Sequence, residues 1–151
     1  MVPGDVVATL GTQLESTLVL LQGIPESKAG FRYAPEKWSI RELLGHLIDT
    51  ERIFSYRALR FGRGDKAPLA GFDQDTYVAE ASFEACSLAE LISEFEHVRR
   101  ATISFFRHLA VEAWSRTGSA NDAEVSVRAL AYIIAGHELH HVEVLREKYL
   151  V

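Results

Sequence analysis

The stretch His137-Glu138-Leu139-His140-His141, close to the C-terminus, concentrates more chemistry than any other part of the chain. His137 and His141 stand four residues apart. In a helix that spacing puts both imidazoles on one side, one turn apart, where two nitrogens can reach a single metal ion. The plainer alternative is a pair of core histidines satisfied by their neighbours. The stretch also reads H-E-x-x-H, the zinc-protease pattern in which the glutamate is the general base. That class takes a third ligand downstream, and the residues after His141 include Glu143 and Glu147 but no histidine. The third ligand is better sought upstream.

The pair lies in the longest uninterrupted helical pattern, from Ser126 to Leu150. At about 100° per residue, Leu130, Ile134, His137, His141 and Leu145 share a face, so the imidazoles stand in line with core positions. His140 is rotated away from them. His97 and His108 fall on the polar side of their own helix. His46, in Leu44-Gly45-His46-Leu47, remains; it sits on the shoulder of an apolar stripe, and Gly45 beside it leaves room for a close approach. Three imidazoles would leave at least one coordination position open, as in catalytic rather than structural sites. They suit zinc, nickel, copper and iron alike, so ligand type does not name the metal.

Four long amphipathic segments supply the scaffold. Residues 5–22 carry Val6, Leu10, Leu14, Leu18 and Leu21, and Gly23 with Pro25 ends the run. A second helix is predicted from Ser39 to about Phe61, opened by a Ser39/Glu42 capping box and buried through Ile40, Leu43, Leu44, Leu47, Phe54 and Ala58. Ser87/Glu90 is a second capping box, opening a helix with Leu88, Leu91, Ile92, Phe95, Val98, Phe105 and Leu109 inward. Trp38 reads as a packing residue at a helix entry. A short extra helix near residues 73–80 is expected, capped by Asp73. No convincing strand is evident. The pattern predicts an all-α four-helix bundle with long connections, over a single domain spanning residues 1–151. The segment 62–86 is the candidate cover over one end.

Composition narrows the function classes. The chain has 151 residues and a net charge of −5, without a basic run, which argues against a nucleic-acid partner. No membrane-spanning stretch or signal peptide is apparent. The single Cys86 precludes an internal disulfide framework and fits a cytoplasmic location; it reads as a small packing residue rather than a nucleophile.

Trp38-Ser39-Ile40-Arg41-Glu42-Leu43-Leu44-Gly45-His46 together with His137-x-x-x-His141 resembles the DinB/YfiT-like family, and the resemblance extends over nearly the whole chain. Gly71-Phe72-Asp73-Gln74-Asp75-Thr76-Tyr77 is a third similarity, to an aromatic-Asp-Gln/Glu stretch. The resemblance implies that His46, His137 and His141 are three ligands of one divalent ion, typically nickel or zinc. It also implies a possible low-molecular-weight thiol cosubstrate, since some members are thiol S-transferases, and a homodimer. Val19 and Leu20, outside the first stripe, would then cover a partner chain.

Other residues keep two readings each. Glu51 lies within an apolar stripe and is either close to substrate and metal or paired with an arginine. Glu138 is a base, an orienting group, or a helix-seam residue. Asp73, Gln74 and Tyr77 line the site mouth or cap a loop. The function expected is a metal-dependent thiol S-transferase or hydrolase acting on a small electrophile, through a metal-bound thiolate or water. The alternative is a non-catalytic metal- or ligand-binding stress protein.

Overall fold

The computed structural model describes residues 3–151, with side chains from Val6 onward. Helix α1 spans Pro3–Gln22. Its expected stripe faces inward, with Val6, Leu10, Leu14 and Leu21 buried and Leu18 half-buried. Val19 is 73% exposed, so the described residues leave most of it uncovered.

Helix α2 spans Ile40–Gly62, and the Ser39 hydroxyl accepts from the Glu42 amide at 3.1 Å. The reciprocal half of the expected capping box is not made. Arg32 takes the Glu42 carboxylate, and the Ser39 hydroxyl itself donates to Glu84. A guanidinium is a stronger partner for a carboxylate than one amide. At α4, Leu88–Arg107, both halves of the box form: Glu90 N to Ser87 Oγ at 3.1 Å and Ser87 N to Glu90 Oε2 at 2.8 Å.

The short helix α3 spans Gln74–Glu80, and Asp73 caps it by accepting from the Thr76 amide. Helix α5 spans Val127–Val144, capped by Ser126, and ends in a single π turn, Leu145–Tyr149.

The expectation of no strand is corrected by a small hairpin. Strands β1, Thr117–Ala120, and β2, Ala123–Ser126, pair antiparallel with Ala120 opposite Ala123. Asn121 and Asp122 both have positive φ, 53° and 61°, which is the two-residue turn that matches strand twist. Leu69 docks on this hairpin, donating to Ser119 O and accepting from Asn121 N. Gly118 lies flat against Phe61, because a Cβ there would stand 2.2 Å from the ring. The hairpin therefore sits at the C-terminal end of α2.

Helix α2 packs on α4 and α5, and α1 packs on the same two. The helices thus alternate around the bundle, with α1 diagonal to α2 and α4 diagonal to α5. A diagonal step cannot be made by a tight turn, which accounts for the long connections at 23–39 and 108–126. Leu44, Ile48, Phe61, Phe95, Phe106 and Leu130 fill the centre, each almost completely buried. Side chains of this size contribute roughly 1.5–3 kcal/mol apiece when fully buried. No helix among the described residues is long and apolar enough to cross a membrane.

Candidate metal centre

Helices α2 and α5 run side by side in opposite directions, which brings the first turns of α2 beside the last turns of α5. His46 and the His137/His141 pair meet there. His137 Nε2 lies 3.0 Å from His46 Nε2 and 3.1 Å from His141 Nε2. One nitrogen from each ring falls within 4.8 Å of the other two. His46 is 2% exposed, and the other two are half-buried. The Thr50 hydroxyl stands 3.3 Å from His46 Nδ1, one turn along α2. A proton on Nδ1, donated to Thr50, leaves the His46 Nε2 lone pair facing the cluster.

The donor set fits a divalent ion. At a metal–nitrogen bond of about 2.05 Å, the two separations from His137 correspond to nitrogen–ion–nitrogen angles of about 94–98°, between octahedral and tetrahedral values. Burial pushes all three imidazoles down, each to about 4. The next cause is repulsion between the rings: from His141 at His46, from His46 and His140 at His137, and from His137 and His140 at His141. They are neutral at pH 7, the form in which imidazole coordinates. The Trp38 ring lies 4.7 Å from the His46 ring, and Phe54 meets the edge of His137 at 6.0 Å. The space beside Gly45 is taken by Phe83, whose ring would be 2.4 Å from a Cβ there. The close approach expected at this glycine is therefore made by an aromatic side chain.

A cavity of about 420 Å³ opens beside the cluster, lined by His141 and by Tyr33, Lys37, Trp38, Gln74 and Tyr149 among others. The π turn carries Tyr149 back to the entry of α2, where its hydroxyl donates to the Trp38 carbonyl at 2.7 Å. Burial, then the neighbouring Tyr33, pushes the Tyr149 phenol up to about 12, so it remains a donor.

Below the histidines lies a second polar cluster. Arg99 of α4 is completely buried and forks onto Glu51 at 2.8 and 2.9 Å. Its Nη1 stands 2.5 Å from Glu138 Oε2, and Thr17 donates to Glu138 Oε1 at 2.6 Å. Burial opposes the Arg99 charge most strongly, but Glu51 and Glu138 together outweigh it and raise its pKa.

The profile of the DinB superfamily matches residues 9–145. The chain belongs to the DinB superfamily. Its fold is shared with YfiT from Bacillus subtilis, described as a probable metal-dependent hydrolase with an unusual four-helix bundle topology. That match has a TM-score of 0.81 at 14% identity, covering 95% of this chain and 86% of YfiT. A mycothiol-dependent maleylpyruvate isomerase matches at TM-score 0.78 and 13% identity, over 94% of this chain and 60% of the isomerase. A DinB-like protein from Bacillus subtilis matches at TM-score 0.67 and 20% identity, over 94% of this chain and 87% of that one. No curated protein matches the sequence.

Within this DinB bundle the residues singled out from sequence fall into three places. His46, His137 and His141 converge. Glu51 and Glu138 are held by Arg99 and, with His137, line a separate small cavity rather than the open one. Of the α3 residues, Gln74 lines the open cavity, Asp73 caps its helix, and Tyr77 is 46% exposed against Phe72. Cys86 is half-buried, and its carbonyl accepts from Arg41 Nε. Sequence reasoning missed Tyr33, Lys37 and Tyr149 as lining residues and treated Trp38 as packing alone. The first two lie on a connection without periodicity. The only available signal was their nearness to Trp38 in the chain.

Proposed function

We propose that this DinB protein is a divalent-metal-dependent enzyme in which His46, His137 and His141 hold the ion, nickel or zinc, and a small electrophile is attacked by a thiol or by water. The observation that carries this reading is the convergence of three imidazoles at the edge of an open cavity, with His137 Nε2 3.0 Å from His46 Nε2 and 3.1 Å from His141 Nε2. When bound, such an ion lowers the pKa of a thiol or water at its free position and so supplies a nucleophile at neutral pH.

The chain's own residues supply the rest. Burial keeps the three imidazoles neutral, and Thr50 orients His46. The Trp38 indole covers one face of His46 and, with Tyr33 and Tyr149, gives the cavity an aromatic wall that excludes water from an apolar substrate part. Lys37, Gln74 and Asp75 offer polar contacts at the rim. A volume of about 420 Å³ suits a small molecule and not a folded partner. Glu138 is engaged by Arg99 and Thr17, so we assign it no proton-transfer role.

A thiol-conjugation screen on metal-loaded protein, purified without a histidine tag or nickel column, tests the proposal. Turnover should require both metal and thiol and disappear in His46→Ala. A hydrolase of the same site would turn over without thiol. Full activity after chelation would contradict both forms.

A further inference from the structure

The cluster below the histidines is unbalanced in charge. Two carboxylates, Glu51 and Glu138, share one guanidinium, and no other ion pair reaches either among the described residues. Arg99, Glu51 and Glu138 are 0%, 4% and 2% exposed, so solvent does little to offset the surplus. Arg99 satisfies Glu51 with two directed hydrogen bonds. Glu138 receives one from Thr17 on Oε1, and its Oε2 meets Arg99 Nη1 as a single ion-pair contact. With one guanidinium between two carboxylates, the pair retains capacity for a further positive charge.

The carboxylates share a cavity with one of the three histidines. Glu51, Glu138 and His137 line the same small cavity between α2 and α5, together with Leu47, Phe54 and Ile134. Glu138 directly follows His137, and Glu51 lies on the helix that carries His46. A buried charge without its counterpart is costly, and low dielectric makes its pull on a nearby cation strong.

We propose that Glu51 and Glu138, with Arg99 setting their net charge at minus one, are the counter-charge of the three-histidine centre. The neutral imidazoles supply ligand nitrogens but no charge. The carboxylates below them supply the negative field that favours a divalent cation over an empty site. They act through the ion's environment, as positioning residues, and touch neither ion nor substrate. This inference rests on the metal reading above.

The test is calorimetric binding of zinc, and separately of nickel, to metal-free protein purified without a tag, with thermal unfolding of the same metal-free samples. Glu138→Gln removes the charge and keeps the shape: the new amide group can offer its carbonyl to Arg99 and its N–H to Thr17. Glu51→Gln is the second variant. Each should lose about 10–100-fold in metal affinity. Each should unfold, metal-free, close to the temperature of the parent. Arg99→Lys keeps the charge but loses the fork; it should unfold earlier and still bind metal within a few-fold. Parental affinity in both glutamine variants would overturn the inference while leaving the metal reading intact. So would Gln variants that fail to fold without metal, or affinities that fall in step with stability across all three variants, because the cluster would then act through packing. Failure of the parent to bind either ion would overturn the metal reading and this one with it.

Discussion

Two buried polar clusters lie one below the other between α2 and α5, built on opposite rules. In the lower one, unlike groups meet: Arg99 pairs with Glu51 and Glu138, and Thr17 donates to Glu138, so the chain itself makes the contacts and leaves one carboxylate more than the guanidinium balances. In the upper one, three imidazoles of one chemical kind are pressed together, His137 lying 3.0 and 3.1 Å from the other two. Unlike groups that meet explain their own burial. Like groups that meet call for something that binds them all. The first arrangement ties α4 and α1 to the two helices that bear the histidines; the second leaves a point of convergence at the edge of a cavity.

Breaking the lower cluster should have the largest effect on folding. Arg99→Met leaves two buried carboxylates without their cation and should cost about 3–5 kcal/mol, read as a lower urea midpoint with an unchanged slope. His46→Gln in metal-free protein should cost much less, because the upper cluster gains little from its own contacts. Equal losses would remove the contrast between the two.

Acid should act next, on the upper cluster. Each of its histidines titrates near 6.5 in the unfolded chain and at about 4 in the folded one. The unfolded state binds more protons in between, so metal-free stability is fully present above about pH 6.5 and falls as the pH drops toward 4. Denaturation series across that window should show a shallower fall for each of the three histidines replaced.

The smallest effect concerns orientation. Thr50→Val removes the oxygen facing His46 Nδ1 and frees the ring to change tautomer. Metal affinity should drop about tenfold, at the low end for a partner behind a ligand, with little change in metal-free stability. An unaltered affinity would mean that packing under Trp38 is enough to hold the ring.

Much of this arrangement was legible in the sequence, because its signals are local or periodic. The i, i+4 histidines stand in a leucine stripe, and the caps at Ser39, Asp73 and Ser87 mark helix starts by residue type alone. The hairpin was not legible. Its strands are four residues each, rich in Gly, Ser and Ala, and the alternation in Ala123-Glu124-Val125-Ser126 is too short to stand out; only Asn121-Asp122 hinted at a turn. The Arg99 cluster was half legible. Glu51 in an apolar stripe implied an arginine, and Arg99 lies in line with Leu88, Ile92, Phe95 and Phe106, but which arginine pairs across the bundle depends on helix packing. Glu138 was ambiguous for the same reason: a residue beside a ligand faces either the site or the seam, and only α1 and α4 decide which.

The central claim is that His46, brought from the other helix, completes one metal site with His137 and His141. Elemental analysis of protein purified without a tag or nickel column, in the parent, His46→Ala and His97→Ala, tests it most directly. The account predicts about one divalent ion per chain in the parent and in His97→Ala, and none retained in His46→Ala. Metal retained by His46→Ala, or absent from the parent after exposure to zinc and nickel at pH 7.5, would contradict it.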